Sequence, residues 1–134
     1  LISPGLIDRF AEAIAEAEGF NKPGSVPQRA NNPLDITDEG DIGHGVIRTG
    51  GPHGAPITIY ATAADGWAAG KRKLRRMLSG ASEVYPLSLT LDQVAYKYCG
   101  DPTWAVNVAQ RLGVDPSTTL ASLVEQDRQL QANA

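Results

Sequence analysis

The sequence predicts a mostly helical α+β domain, and three observations carry that prediction. Helix start and stop signals recur at both ends of the chain, the stretch between them is rich in Gly, Pro, Asn and Asp, and two short β-like runs flank a turn-rich segment inside that stretch. At 134 residues the chain is large enough to bury a core but small for two domains. Residues 1–134 therefore read as one unit, with a β-lobe at about 20–61 and a helical lobe at 1–19 and 62–134. An ordinary apolar fraction and charges of both signs argue against disorder. A net charge of −3 argues against a dedicated nucleic-acid binder. No apolar run approaches the roughly 20 residues that cross a bilayer, so no membrane span is expected. One cysteine, Cys99, excludes an internal disulfide and a multi-cysteine metal site.

The first helix is the best punctuated. Ser3 is a good N-cap, Pro4 suits a first turn, and Leu6, Phe10, Ile14 and Ala17 recur at helical spacing up to a stop at Gly19. At about 100° per residue these four share one apolar arc with Ile7. Glu18 falls just past Ile7, beside Ala11 and Ala15, whereas Asp8, Arg9, Glu12 and Glu16 lie opposite. Glu18 is thus the one acid of this helix that borders its buried stripe, and it stands at the C-terminus. Burial disfavours a carboxylate, and the partial negative charge of a helix C-terminus disfavours it again. Both raise the pKa, which is the profile of a general acid.

Further along, residues 42–47 and 57–60 read as the strands of a hairpin joined by the Gly- and Pro-rich segment 49–56. Thr62 with Asp65 reads as a capping box for a helix whose inner face is Trp67, Gly70, Leu74, Met77 and Leu78, ending at Gly80. Thr90 caps a helix with Leu91, Val94, Ala95 and Tyr98 on one face. Another helix is expected from about 103 to 112 with Gly113 as its stop, and a last one from about 117 to 130.

The segment Ala15-Glu16-Ala17-Glu18-Gly19-Phe20, followed by Pro27-Gln28-Arg29-Ala30-Asn31-Asn32-Pro33-Leu34-Asp35-Ile36, resembles the lysozyme-like superfamily of bacterial and phage peptidoglycan glycosidases. In that family a helix ending in Ala-Glu-Gly-Phe precedes an Arg-x-Asn-Asn-Pro-Gly-[Asp/Asn]-[Leu/Ile] turn. Ile57-Thr58-Ile59-Tyr60 leading to Gly66-Trp67-Ala68-Ala69 is similar to the family's strand and Gly-Trp helix. Tyr96-Lys97-Tyr98-Cys99-Gly100 and Arg111-Leu112-Gly113-Val114 are similar to its late tyrosine turn and Leu-Gly-Val helix end. The order of these segments matches over most of the chain.

The resemblance implies a lysozyme-like fold and a muramidase acting on the β-1,4 bond between N-acetylmuramic acid and N-acetylglucosamine. Glu18 would protonate the glycosidic oxygen. A hydrolase of this kind needs a second carboxylate, at about 5 Å if retaining and about 6.5 to 9.5 Å if inverting. Asp35 and Asp41 are the candidates, with Asp38 between them. A lytic transglycosylase needs the one glutamate, because the sugar's own 6-hydroxyl attacks. Arg29, Asn31, Asn32, Tyr60 and Tyr98 are the substrate-binding candidates on the same resemblance. Arg29 would meet a lactyl or peptide carboxylate or brace its loop. The asparagines would meet acetamido or hydroxyl groups, although Asn before Pro is also a turn former. The implied protein is a secreted monomer, extracellular or periplasmic, that needs no cofactor or metal. A chain beginning at Leu1 reads as a processed form that has lost any export signal.

Two departures from the family pattern stand out. Leu34 occupies the glycine position, where a positive φ would strain it. The tyrosine turn also departs from the Tyr-Asn-x-Gly spacing of lytic transglycosylases. Both keep a second reading open, a non-catalytic glycan-binding or structural domain of the same fold. A third, a helix-turn-helix DNA reader over residues 91–114, offers only Arg111 as a cation on its second helix. His44 and His53 near Asp41 lack recognisable metal-ligand spacing. Cys99 lacks a nucleophile signature and suits packing at a helix end. Trp67 opens an apolar helix face and reads as core. Lys71, Arg72, Lys73, Arg75 and Arg76, five of the chain's twelve basic residues, read as a solvated helix surface with some capacity to attract polyanions.

Overall fold

The computed structural model describes residues 1–37, 46–48 and 56–134. Among them are six helices and one two-stranded antiparallel ribbon, so the chain is mostly helical. Helix α1 (Pro4–Ala17) begins where expected. The Ser3 hydroxyl accepts the Leu6 N–H, and Gly19 turns left-handed at φ +82° to end the helix behind Glu18. A single turn, α2 (Val26–Arg29), lies inside the stretch read as irregular. Ser25 caps it by accepting the Gln28 N–H, and four residues are too few to show a period.

The ribbon pairs β1 (Val46–Arg48) with β2 (Pro56–Thr58), Ile47 opposite Ile57. The expected hairpin is present in this short form; residues 42–45 of its first run lie outside the described residues. The second strand ends earlier than expected because the Tyr60 N–H turns to the Ala30 carbonyl at 2.8 Å. Thr37 adds a single bridge to Ile57.

Four helices follow. Thr62 caps α3 (Ala63–Leu78) by accepting the Asp65 N–H. A reciprocal box between Thr90 and Gln93 caps α4 (Leu91–Tyr98). Asp101 starts α5 (Pro102–Leu112), which Gly113 ends at φ +71°. Thr119 caps α6 (Leu120–Ala132), which starts later than the expected residue 117. Ser117 is held instead in a turn, where its N–H and hydroxyl both donate to Asp115.

Helix α1 is the centre of the core, packed against α3 and α5. Ile7, Phe10, Ala11 and Ile14 are fully buried, along with Leu91, Val94, Ala105, Val108 and Leu120 from the later helices. Burying this many large apolar side chains supplies the main driving force for folding. The chain's two ends meet where buried Asp127 of α6 accepts the Ser3 N–H and the Ser3 hydroxyl. Among the described residues no helix is long and apolar enough to cross a membrane.

Two glycines of α3 let it approach the loop that follows α2. A Cβ on Gly66 would lie 1.8 Å from the Asn31 carbonyl oxygen, so only glycine fits there. A Cβ on Gly70 would lie 2.9 Å from a Leu34 methyl. The Gly-Trp start of α3 is therefore a packing device that seats the 31–36 loop.

Candidate active site

The loop between α2 and Ile36 is held from several sides. Asn32 is completely buried: its Nδ2 donates to the carbonyls of Ile36 and Thr58, both at 2.9 Å, and its Oδ1 accepts the Ile36 N–H at 3.0 Å. It staples the loop to β2. Asn31 adopts a left-handed φ of 51° and donates to the Tyr60 carbonyl at 3.0 Å. Leu34, expected to be strained, is not in the left-handed region. It points into the core against Gly70 and is 1 % exposed. The positive φ falls one residue later, on Asp35 at 52°, a residue type that tolerates it.

This turn brings Asp35 to Glu18. Their carboxyl groups lie close enough for each to perturb the other's proton, and both pKa values are raised. The Glu18 pKa is raised from 4.5 to about 8, first by burial and then by the neighbouring Asp35 charge. Asp35 is raised from 3.8 to about 6 by burial, and hydrogen bonding from Glu18 opposes that rise. Of the two, Glu18 is therefore the group that keeps its proton at neutral pH. One oxygen of each carboxyl, Glu18 Oε1 and Asp35 Oδ1, is buried with no hydrogen-bond partner. The burial deduced from the helical wheel is thus present, but the charge that reinforces it is that of Asp35.

Helices α4 and α5 close the site. Trp104, in the first turn of α5 and 3 % exposed, lies beside the Glu18 carboxyl and pulls its pKa down, while its buried indole Nε1 makes no hydrogen bond within the protein. Tyr98 stacks on Trp104 with ring centroids 5.2 Å apart, and its hydroxyl donates to the Leu34 carbonyl. Burial, then the charge of Glu18, holds the Tyr98 phenol well above its ordinary pKa, so it is a permanent donor. Cys99 follows at the helix end, its thiol donating to the Ala95 carbonyl. Burial pushes its pKa up, the opposite of an activated nucleophile.

A cleft of about 620 Å³ opens beside this group, a size typical of ligand sites. Asp35, Ile36 and Thr37 form one wall, Lys73, Arg76 and Met77 of α3 another, and segment 81–85 with Lys97 and Tyr98 the rest. Asp35 lines it, and Glu18 lies in contact behind Asp35.

The structure thus gathers Glu18, Asp35 and Tyr98, and the other described candidates do not join them. Asn32 has no exposed surface and every arm of its amide is engaged, so it is a staple and not a ligand contact. Tyr60 is 4 % exposed and belongs to the core, again a correction to a binding role. Arg29 is exposed, and its Nε braces the Gly24 carbonyl at 3.1 Å. Asp41, Asp38, His44 and His53 lie outside the described residues. Trp67 is partly buried, edge-on to Phe20. Arg111 is committed to an ion pair with Glu16.

Sequence reasoning missed Trp104 as a neighbour of Glu18 and Lys73, Arg76 and Lys97 as lining of the cleft. Trp104 meets Glu18 through tertiary packing alone, and no local pattern marks it. Among the described residues no cluster of three His, Cys, Asp or Glu side chains is arranged to hold a metal. No family model, curated protein or solved structure matches the chain.

Proposed function

We propose that this chain is a lysozyme-like, peptidoglycan-cleaving glycosidase in which Glu18 delivers the proton to the glycosidic oxygen. The observation that carries this reading is a half-buried carboxyl at the end of α1, its pKa raised to about 8, beside a second carboxyl on the wall of a cleft. Such a group stays protonated at neutral pH and is matched to general-acid work.

The Glu18–Asp35 contact favours the route that needs one acid. Carboxyls close enough to perturb each other's proton leave little room for the water that an inverting pair holds between them. Glu18 therefore protonates the leaving 4-oxygen of N-acetylglucosamine as the bond from C1 of N-acetylmuramic acid breaks. The 6-hydroxyl of that muramic acid closes on C1, and its proton returns to Glu18. Asp35 keeps Glu18 protonated beforehand and, as an anion, stabilises the positive charge that develops on the sugar.

A second reading, a non-catalytic glycan-binding domain of the same fold, is favoured by one fact: Asp35, and not Glu18, lines the cleft. A zymogram on purified peptidoglycan separates the two. Clearing by wild type that is lost in Glu18→Gln is the expected result. Clearing that persists in the variant removes Glu18 from the mechanism, and a folded wild type that clears nothing favours the binding domain. Product mass then identifies the route, anhydro-muropeptides for the transglycosylase and reducing ends for the hydrolase.

A further inference from the structure

Three buried polar atoms that lack a hydrogen-bond partner belong to the acid site: Glu18 Oε1, Asp35 Oδ1 and Trp104 Nε1. Buried polar atoms are normally paired, so a group of three in one place needs a physical account. Glu18 ends α1, Asp35 sits in the 31–36 loop and Trp104 in the first turn of α5, and Glu18 lies beside both of the others. The Trp104 ring is fixed by its stack on Tyr98 at 5.2 Å, and the Tyr98 hydroxyl is tied to the carbonyl of Leu34, one residue before Asp35. One tyrosine thus anchors both the indole and the backbone that carries Asp35. No direct hydrogen bond joins the three atoms to one another. Close polar neighbours that stop short of bonding are the usual sign of a bridging molecule between them.

The chemistry of the group selects that molecule. An indole N–H can only donate, a carboxylate oxygen can only accept, and the carbonyl oxygen of a protonated carboxyl accepts as well. One donor and two acceptors call for a partner that accepts once and donates twice. Water does both and fits a site sealed from solvent. An ammonium ion has no lone pair for the indole, and a sugar hydroxyl has one proton to give and cannot reach atoms with no exposed surface.

We propose that Glu18, Asp35 and Trp104 enclose one ordered water, which accepts the Trp104 N–H and donates to Glu18 Oε1 and Asp35 Oδ1. The proposal concerns the acid pair itself and does not depend on what the cleft binds. It makes Trp104 a positioning residue, acting on both carboxyls through the water, and not only a wall of the site.

A crystal structure of the full chain near neutral pH, without ligand and at a resolution that shows ordered water, tests the proposal. The expected result is an oxygen peak about 2.7–3.2 Å from Trp104 Nε1 and from one oxygen of each carboxyl. In Trp104→Phe, which keeps a ring against Tyr98 but has no N–H, that peak is lost or displaced. NMR gives an independent reading in solution. The Trp104 indole proton, told from that of Trp67 by recording Trp67→Phe, is expected to show cross-relaxation with a long-lived water. Wild type and Trp67→Phe therefore decide the matter even where Trp104→Phe does not fold. Three results overturn the proposal: a direct hydrogen bond among the three atoms with no water peak, a peak that Trp104→Phe leaves unchanged, or an indole proton with no water signal. Every readout is made without substrate. A chain that clears no peptidoglycan can still hold the water, and an active one can be found without it, so the two readings fail separately.

Discussion

Replacing Glu18 by glutamine stabilises this fold, and the gain grows with pH. The reasoning starts from the proton. Below pH 4.5 the Glu18 carboxyl is protonated in both the folded and the unfolded chain, so an isosteric amide changes little. Between 4.5 and about 8 the unfolded chain has released that proton while the folded chain still holds it. The unfolded state then binds fewer protons, and stability falls as pH rises, by about 1.4 kcal/mol per pH unit. At neutral pH the loss is on the order of 3 kcal/mol, and above pH 8 it levels off near 5 kcal/mol at most. Asp35, raised from 3.8 to about 6, adds a loss of the same sign over its own window. Glutamine cannot ionise, and its amide can donate to Asp35 as the protonated acid does.

Urea unfolding of wild type and Glu18→Gln, followed by tryptophan fluorescence at about pH 4, 6 and 8.5, measures the difference. The expected pattern is near-equality in acid and a variant more stable by several kcal/mol at the alkaline end. That is a large share of the roughly 5–15 kcal/mol of a domain. A variant no more stable than wild type at the highest pH refutes the reasoning. So does a gain of the same size at every pH, which would trace to packing and not to a proton. In either case Glu18 is a solvated carboxylate at neutral pH and has no proton to deliver.

Other substitutions test how the site is held. Gly66→Ala places a methyl 1.8 Å from a backbone oxygen, so helix and loop must separate; a loss of about 3 kcal/mol or more is expected by thermal or urea unfolding. Gly70→Ala meets the end of a flexible leucine at 2.9 Å and costs about 1–2 kcal/mol, so equal losses for the two glycines would contradict the packing described. Leu34→Gly introduces the glycine of the pattern this segment resembles yet empties a buried site, and about 3–5 kcal/mol of stability disappears; a neutral result would show that Leu34 does not fill the space at Gly70. Trp104→Phe removes the neighbouring indole that lowers the Glu18 pKa, which moves the alkaline limb of activity, or the Glu18 titration seen by NMR, to higher pH. A shift to lower pH would mean that the indole acts mainly by excluding water.

Helix punctuation made most of this architecture legible in advance. Ser3, Thr62, Thr90 and Gly113 each terminate a helix through local hydrogen bonds or a left-handed turn, and such signals act within four residues of their cause. The same locality explains the failures. Helix α2 is shorter than one period of any pattern, and the start of α6 was decided by an Asp115–Ser117 turn that competes with helix at the level of one side chain. For the site, the wheel placed Glu18 beside Ala11 and Ala15, both of which are fully or almost fully buried. Nothing local distinguished Asn31, which reaches two carbonyls after the sheet, from Asn32, which is sealed inside. Nor did anything local mark Tyr60 as buried or Trp104 as a neighbour of the acid. Those facts depend on which helices pack together.

The acid pair follows from two pieces of backbone fixed by independent means. Glu18 is carried by the last turn of α1, which the core holds through Phe10 and Ile14. Asp35 is carried by a loop that the Asn32 staple, the Leu34–Gly70 contact and the close approach of Gly66 leave little freedom. A left-handed aspartate costs on the order of 1 kcal/mol, and three buried hydrogen bonds of the adjacent asparagine, each worth about 1 kcal/mol, offset it. The strain is therefore placed where it turns a carboxylate toward another carboxyl, an arrangement that stability alone would disfavour. Backbone rigidity on both sides means the two groups cannot drift apart to relieve their repulsion. They relieve it by keeping one proton, and that retained proton is the one the glycosidic oxygen receives in the proposed reaction.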